Sequence, residues 1–219
     1  MRLYLLDIPP RQDLVAAFAH VGTWMKVLEG KDVRDACPTC ERGIYRLVSP
    51  LLIQNSDGPD LPLRDCSWCM RCMIVTEECA QRIEGAGLRA QFDPVEVQFE
   101  GHEEAGNNVH NPFAGRRFRW PRGGVVAQLD LARMGVPESP ECPTCKERFY
   151  TSKQEPIHLR CEAGAESALL SVREFAGFWG RRLFVSEVGR ELLERAHITN
   201  VDLRCVGEVQ FNECEGRLN

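Results

Sequence analysis

Cys37-Pro38-Thr39-Cys40 recurs letter for letter as Cys142-Pro143-Thr144-Cys145, and Tyr45 and Tyr150 each follow eight residues after the leading cysteine. Two cysteines three residues apart on a tight turn can both face one metal ion. A pair of such turns supplies the four sulfurs that a tetrahedral structural zinc site requires. The repeat therefore predicts that two distant parts of the chain meet at one point.

Working outward from the turns, the flanking sequence repeats as well. Met73-Ile74-Val75-Thr76-Glu77 reads as a strand that runs into a helix: Thr76 is placed to cap it, Glu77 and Glu78 lie in the first turn where the dipole favours them, and Gly87 is placed to stop it. Leu183-Phe184-Val185-Ser186-Glu187, followed by Arg190 to Ala196, has the same construction. A strand candidate follows each helix, Glu96 to Phe99 and Glu208 to Phe211. The offset is 105 at the turns, 110 at the helices and 112 at the last strands, so the order is kept and only loop-sized insertions separate the copies. This predicts a duplicated unit spanning about Cys37 to Phe99 and Cys142 to Phe211.

The fold class expected is α+β, with two related strand-helix-strand units joined by a paired Cys-x-x-Cys, zinc-ribbon-like element. Residues 1–36 are read as an N-terminal strand and helix, 37–100 as the first unit, 101–137 as a connector and 138–219 as the second unit, together one compact domain. Leu3 to Ile8 is the first strand. Leu14, Val15, Phe18, Val21, Met25 and Leu28 recur at helical spacing, with Gly30 and Lys31 at the helix end. Ile44 to Ile53 has strand composition interrupted by Pro50, Asn55 to Pro62 is a turn-rich loop, Arg116 to Arg122 lies in an exposed connector or hairpin, and Val125 to Met134 is one more strand or helical turn.

At 219 residues, 43% apolar and 27% charged, the chain can bury a core of its own. It has no apolar run of membrane-spanning length and no signal-peptide core at its N-terminus, so a cytosolic location with no membrane association is expected. Eleven cysteines, an odd number, suit metal ligation plus buried free thiols better than a disulfide framework. A net charge of −5 argues against a protein that coats nucleic acid and is compatible with a basic protein partner.

Only Cys37, Cys40, Cys142 and Cys145 occupy equivalent places in both units, and they are the metal ligands expected of a closed, structural Zn2+ site shared between the units. Two separate sites are the rival: Cys142, Cys145, His158 and Cys161 in the second unit, with Cys37, Cys40, Cys66 and Cys69 in the first. Cys66, Cys69 and Cys72 align with Ala176, Trp179 and Arg182 and are read as thiols, since the step to Cys79 does not match ferredoxin spacing. No catalytic residue is assigned. His20 and His197 are placed on or at the end of helices. Glu100, His102, Glu103, Glu104 and His110 are read as a solvated loop, with acid–base chemistry at His102 and Glu103 as the enzymatic alternative.

With these residues in view, the chain resembles the double-CXXCG motif proteins of myxobacteria, immunity proteins that protect a cell from a toxin delivered by its kin. The likeness lies in the two turns, in the Ile74 to Phe99 segment and in the Phe175 to Val209 tail. The resemblance implies a cytosolic, non-enzymatic immunity protein that binds a cognate toxin, with zinc held by the paired cysteines. The glycine that ends the motif is replaced by Glu41 and Lys146, at a position that favours a left-handed backbone and costs another residue about 1 kcal/mol. The alternative is a zinc-ribbon module that contacts nucleic acid or the transcription machinery through Arg116 to Arg122.

Overall fold

The computed structural model of the chain describes residues 1–7, 25–34, 37–41, 44–55, 65–69, 72–99, 115–146, 148, 155–172 and 182–212. Twelve strands and two helices succeed one another through them. They are β1 (Arg2–Asp7), β2 (Met25–Arg34), β3 (Ile44–Asn55), β4 (Cys66–Cys69), β5 (Cys72–Thr76), α1 (Glu77–Gly85), β6 (Ala90–Phe99), β7 (Phe118–Gly123), β8 (Val125–Leu129), β9 (Ile157–Glu162), β10 (Leu170–Val172), β11 (Leu183–Ser186), α2 (Glu187–Arg195) and β12 (Asp202–Asn212).

The strands form two sheets. One is six-stranded, in the order β2-β3-β6-β7-β5-β4, and the other is a closed barrel in the order β1-β11-β10-β8-β9-β12. Opened between β8 and β10, the barrel reads β8-β9-β12-β1-β11-β10, and each strand then stands where its counterpart stands in the first sheet. The sheets share a parallel pair at the same place, β3 with β6 and β9 with β12, and the barrel has a second where β8 meets β10. The registers correspond too: Val97 faces Ile53 as Val209 faces Leu159, and Phe118 faces both Thr76 and Val95 as Leu3 faces both Ser186 and Gly207.

This correspondence reveals an exchange. In each half a strand leads through a helix into a parallel strand, with an antiparallel strand between them. The intervening strand comes from the other half: β7 lies between β5 and β6, and β1 lies between β11 and β12. The correspondence therefore begins earlier than the cysteine turns, at β1 and at β7. The basic stretch expected in an exposed connector is an interior strand with Phe118 and Pro121 buried.

Two cores follow from strand alternation. Leu3 and Leu5 of β1 point into the barrel, joining Leu129, Ile157, Leu159, Leu170, Phe184 and Val209 among others. Tyr4 and Leu6 face the other way, into a core built from both sheets and both helices that includes Val75, Cys79, Ile83, Val185, Leu192 and Leu193. β1 is thus buried on both faces, which its run of apolar residues requires. Where β12 passes β9, a side chain on Gly207 would lie 1.8 Å from the Ile157 carbonyl oxygen, so the close approach of the two backbones demands glycine.

Both helices start as their sequences predict. The Thr76 hydroxyl accepts from the Cys79 N–H at 3.2 Å, and the Ser186 hydroxyl accepts from the Gly189 N–H at 3.1 Å. Gly87, with φ +87°, follows the end of α1, and His197, with φ +49°, follows the end of α2.

Two expectations are corrected. Met25 to Lys31 is strand, not the end of a helix: β2 pairs antiparallel with β3 from Met25 to Arg34, and these tertiary partners override the helical spacing. The rest of that expected helix, residues 8–24, lies outside the described residues, as do the loop at 56–64 and the stretch 100–114. The interruption expected at Pro50 is also absent from the strand itself, since β3 runs on from Ile44 to Asn55. The pairing of β3 with β2 steps from Leu52–Glu29 to Leu47–Lys31, and Pro50 sits within this irregularity, where no ladder donor is needed. No helix among the described residues is long and apolar enough to cross a membrane.

The two helix caps are expected to differ in worth. Thr76→Ala should cost about 1 kcal/mol. Ser186 is fully buried and also donates to the Glu166 carbonyl at 2.5 Å, so Ser186→Ala should cost more, about 2 kcal/mol by urea unfolding, because it loses that second hydrogen bond as well as the cap.

Candidate metal centre

The two cysteine turns lie at equivalent places, one between β2 and β3 and the other between β8 and β9. Each is closed by a main-chain bond, from the Glu41 N–H to the Cys37 carbonyl at 2.7 Å and from the Lys146 N–H to the Cys142 carbonyl at 2.9 Å. Closing the turn this way places Glu41 at φ +57° and Lys146 at φ +60°, the left-handed conformation expected where the motif's glycine is missing.

The turns meet. Cys37 Sγ lies 3.7 Å from Cys142 Sγ, Cys40 Sγ lies 3.8 Å from Cys145 Sγ, and the hydroxyls of Thr39 and Thr144 are 2.6 Å apart. Every one of these contacts joins a residue to its own counterpart, which is what a local twofold axis through the site produces. All four sulfurs lie within 4.8 Å of one another, and they are the one group of three or more such ligands among the described residues.

The spacing fits a metal. Four sulfurs at about 2.3 Å from a central zinc stand about 3.8 Å apart, whereas a disulfide would bring two of them to about 2 Å. The electrostatics fit as well. The main-chain N–H groups of Cys40 and Thr39 point at the Cys37 sulfur and pull its pKa down from 9.0 to about 6, which favours the thiolate. The N–H groups of Cys145 and Thr144 lower Cys142 in the same way, while burial raises Cys145. The leading cysteine of each turn is buried, and Pro38, Thr39, Pro143 and Thr144 are exposed above it. A metal held by all four sulfurs has every tetrahedral position filled, with none open to activate water.

The rival ligands are placed elsewhere. Cys161 packs inside the barrel, and His158, three residues earlier on β9 and on its other face, has its Nδ1 3.8 Å from Glu208. Cys66 belongs to the core shared by the helices, where its hydrogen bond to Cys79 and its burial raise its thiol well above the ordinary value. The predicted alignment of Cys66 with Ala176 fails at this strand. β4 meets β5 with Ser67 opposite Ile74, as β10 meets β11 with Leu170 opposite Phe184, so Cys66 corresponds to Leu169. The backbone of Cys69 and Cys72 is in strand, and their side chains lie outside what is described, as do His20, Glu100, His102, Glu103, Glu104 and His110.

A second junction between the halves has no counterpart in the sequence reading. The Thr199 N–H and hydroxyl donate to Asp65 at 2.7 and 2.9 Å, the Asn200 amide donates to the Cys66 carbonyl at 2.8 Å, and Arg82 binds both Asp65 and the Ala196 and His197 carbonyls that end α2. The equivalent junction, from Arg89 to Ser167 and from Leu169 to Arg89, is made by main-chain bonds of 2.7 and 2.9 Å. No sequence motif marks Asp65; only the register of β4 against its counterpart β10 reveals it. Comparison of the chain with protein-family models and with curated proteins gives no match.

Glu41→Gly and Lys146→Gly should each keep the turn and change stability by less than about 1 kcal/mol, because relief of the left-handed strain is partly offset by the freer unfolded chain. In metal-free, reduced protein the contribution of Cys37 has a definite sign. Its folded pKa, about 6, lies below its ordinary value of 9.0, so between those limits the unfolded chain binds more protons. That stability should be fully present above pH 9, decline toward pH 6 and be lost below it. Unfolding of the apo protein, compared between wild type and Cys37→Ser across that range, reads it directly.

Proposed function

We propose that the chain is a non-enzymatic immunity protein, a single unit written twice, whose halves are clasped by one structural zinc ion and which neutralises a cognate toxin by binding it. The observation that carries the metal reading is the meeting of Cys37, Cys40, Cys142 and Cys145 around one point at zinc-like spacing. Thiolate ligands with N–H groups aimed at them suit zinc, and a site with all positions taken suits structure over catalysis. The shared strand order, the matched registers and the exchanged strands support duplication.

The toxin-binding role is supported by the resemblance of the two turns and the C-terminal tail to the double-CXXCG immunity proteins. The net charge of −5 suits a basic toxin. A cytoplasmic setting accords with cysteines that form no disulfide among the described residues. The nucleic-acid alternative finds less support, because two of its arginines are already engaged. Arg119 makes a two-pronged pair with Glu77 at 2.6 and 3.2 Å, and Arg122 pairs with Asp93 at 3.2 Å while lying over the Trp120 ring.

Elemental analysis is expected to find about one zinc per chain. Cys40→Ser and Cys145→Ser should each lose it and lower the thermal midpoint by more than about 5 °C, given that a chain of this length shifts by roughly 2–4 °C per kcal/mol. Two ions per chain, with one surviving each substitution, would mean separate sites. For the partner, co-expression should rescue cells from one specific toxin, and the purified proteins should form a stoichiometric complex. Failure to bind the product of any neighbouring toxin gene would count against immunity while leaving the metal reading intact.

A further inference from the structure

We propose that the four cysteines are also a thiol–disulfide site: peroxide oxidation expels the metal and joins the sulfurs across the local axis, Cys37 to Cys142 and Cys40 to Cys145. A covalent clasp then replaces the ionic one. The departure of the ion rests on the zinc reading above, whereas the pairing of the sulfurs can be read with or without metal.

Three observations carry this. The cross-axis sulfurs are already in contact at 3.7 and 3.8 Å, so each pair needs to close by only about 1.7 Å to reach bonding distance. Cys40 and Cys145 are partly exposed beside exposed Pro38, Thr39, Pro143 and Thr144, so a small peroxide reaches one sulfur of each turn from solvent. Pairing within a turn is the competing outcome, since Cys37 also touches Cys40 and Cys142 touches Cys145. What favours the cross-axis pairs is the length of chain they close. Joining positions 105 residues apart constrains the unfolded chain far more.

The chemistry balances. The Cys40 thiolate attacks one oxygen of hydrogen peroxide, the O–O bond breaks, and hydroxide leaves to give a sulfenic acid. The Cys145 thiolate attacks that sulfur, the S–O bond breaks, and a second hydroxide leaves as the disulfide forms. Each disulfide thus consumes one peroxide and two protons and yields two waters, the sulfurs losing two electrons that the peroxide gains. With Cys40 and Cys145 no longer available as ligands, a zinc held by the four sulfurs would be released as the divalent ion. A second peroxide joins Cys37 to Cys142. Cys66, Cys79 and Cys161, each at most 4% exposed in the cores, are shielded from the same reagent.

The test treats zinc-loaded, full-length protein with hydrogen peroxide under native conditions, follows released zinc with a chromogenic chelator and maps the disulfides without reduction. Loss of bound zinc is expected to coincide with a cross-linked peptide pair carrying residues 37–40 and 142–145, and dithiothreitol with added zinc should restore the starting state. Links confined to Cys37–Cys40 and Cys142–Cys145, or sulfinic and sulfonic acids at these positions, would overturn the proposal. If the reduced protein holds no zinc, the metal reading fails while the map still decides the pairing. Cys40→Ser with Cys145→Ser should still link Cys37 to Cys142, and Cys40→Ser with Cys142→Ser should link far more slowly; equal rates would also overturn it. Should those variants not fold, the wild-type map alone decides.

Discussion

The structure depends on the meeting of four sulfurs at a local twofold axis. Thiolates at this spacing repel one another unless something compensates their charge. Two turns that direct main-chain N–H groups at the leading sulfurs supply part of that compensation, and a divalent cation would supply the rest. Glu41 and Lys146 accept a left-handed backbone so that each turn can close. A local conformational cost is thereby offset by an interaction that exists only when both halves are folded and in place.

Exchange of β1 and β7 makes the same demand on a larger scale. Neither sheet can complete its pattern of two parallel strands flanking an antiparallel one without a strand from the other half. The core that contains both helices belongs to neither sheet alone, with Tyr4 and Leu6 brought to it by a strand that also lines the barrel with Leu3 and Leu5. The cysteine cluster, the Asp65–Thr199 junction and the exchanged strands all couple the same two halves. Opening any one of these contacts strains the others.

The halves share a strand order without being identical. β8 and β10 pair in parallel and close the barrel, while β2 and β4, their counterparts, are the two ends of the first sheet. At one junction Asp65 and Arg82 bridge the halves with charged side chains, where the other uses main-chain hydrogen bonds. Such differences give each half a surface that the other does not have.

Local sequence determined what depends on neighbours along the chain. The two Cys-Pro-Thr-Cys turns, the strand-to-helix passages capped by Thr76 and Ser186, the strained residue after each turn and the α+β character were all legible, because caps, turns and alternation are short-range physics. Tertiary structure alone decided that Met25 to Lys31 is strand, that Phe118 to Gly123 is an interior strand, that one sheet closes into a barrel and that β1 and β7 change places. Those outcomes turn on partners far away in sequence. A ten-residue apolar pattern fits a helix or a strand until β3 presents its donors and acceptors, and a basic aromatic stretch reads as surface until Glu77 and Asp93 arrive to pair its arginines. The cysteine spacing permitted one shared site or two separate ones, and only the tertiary structure brings Cys37, Cys40, Cys142 and Cys145 together.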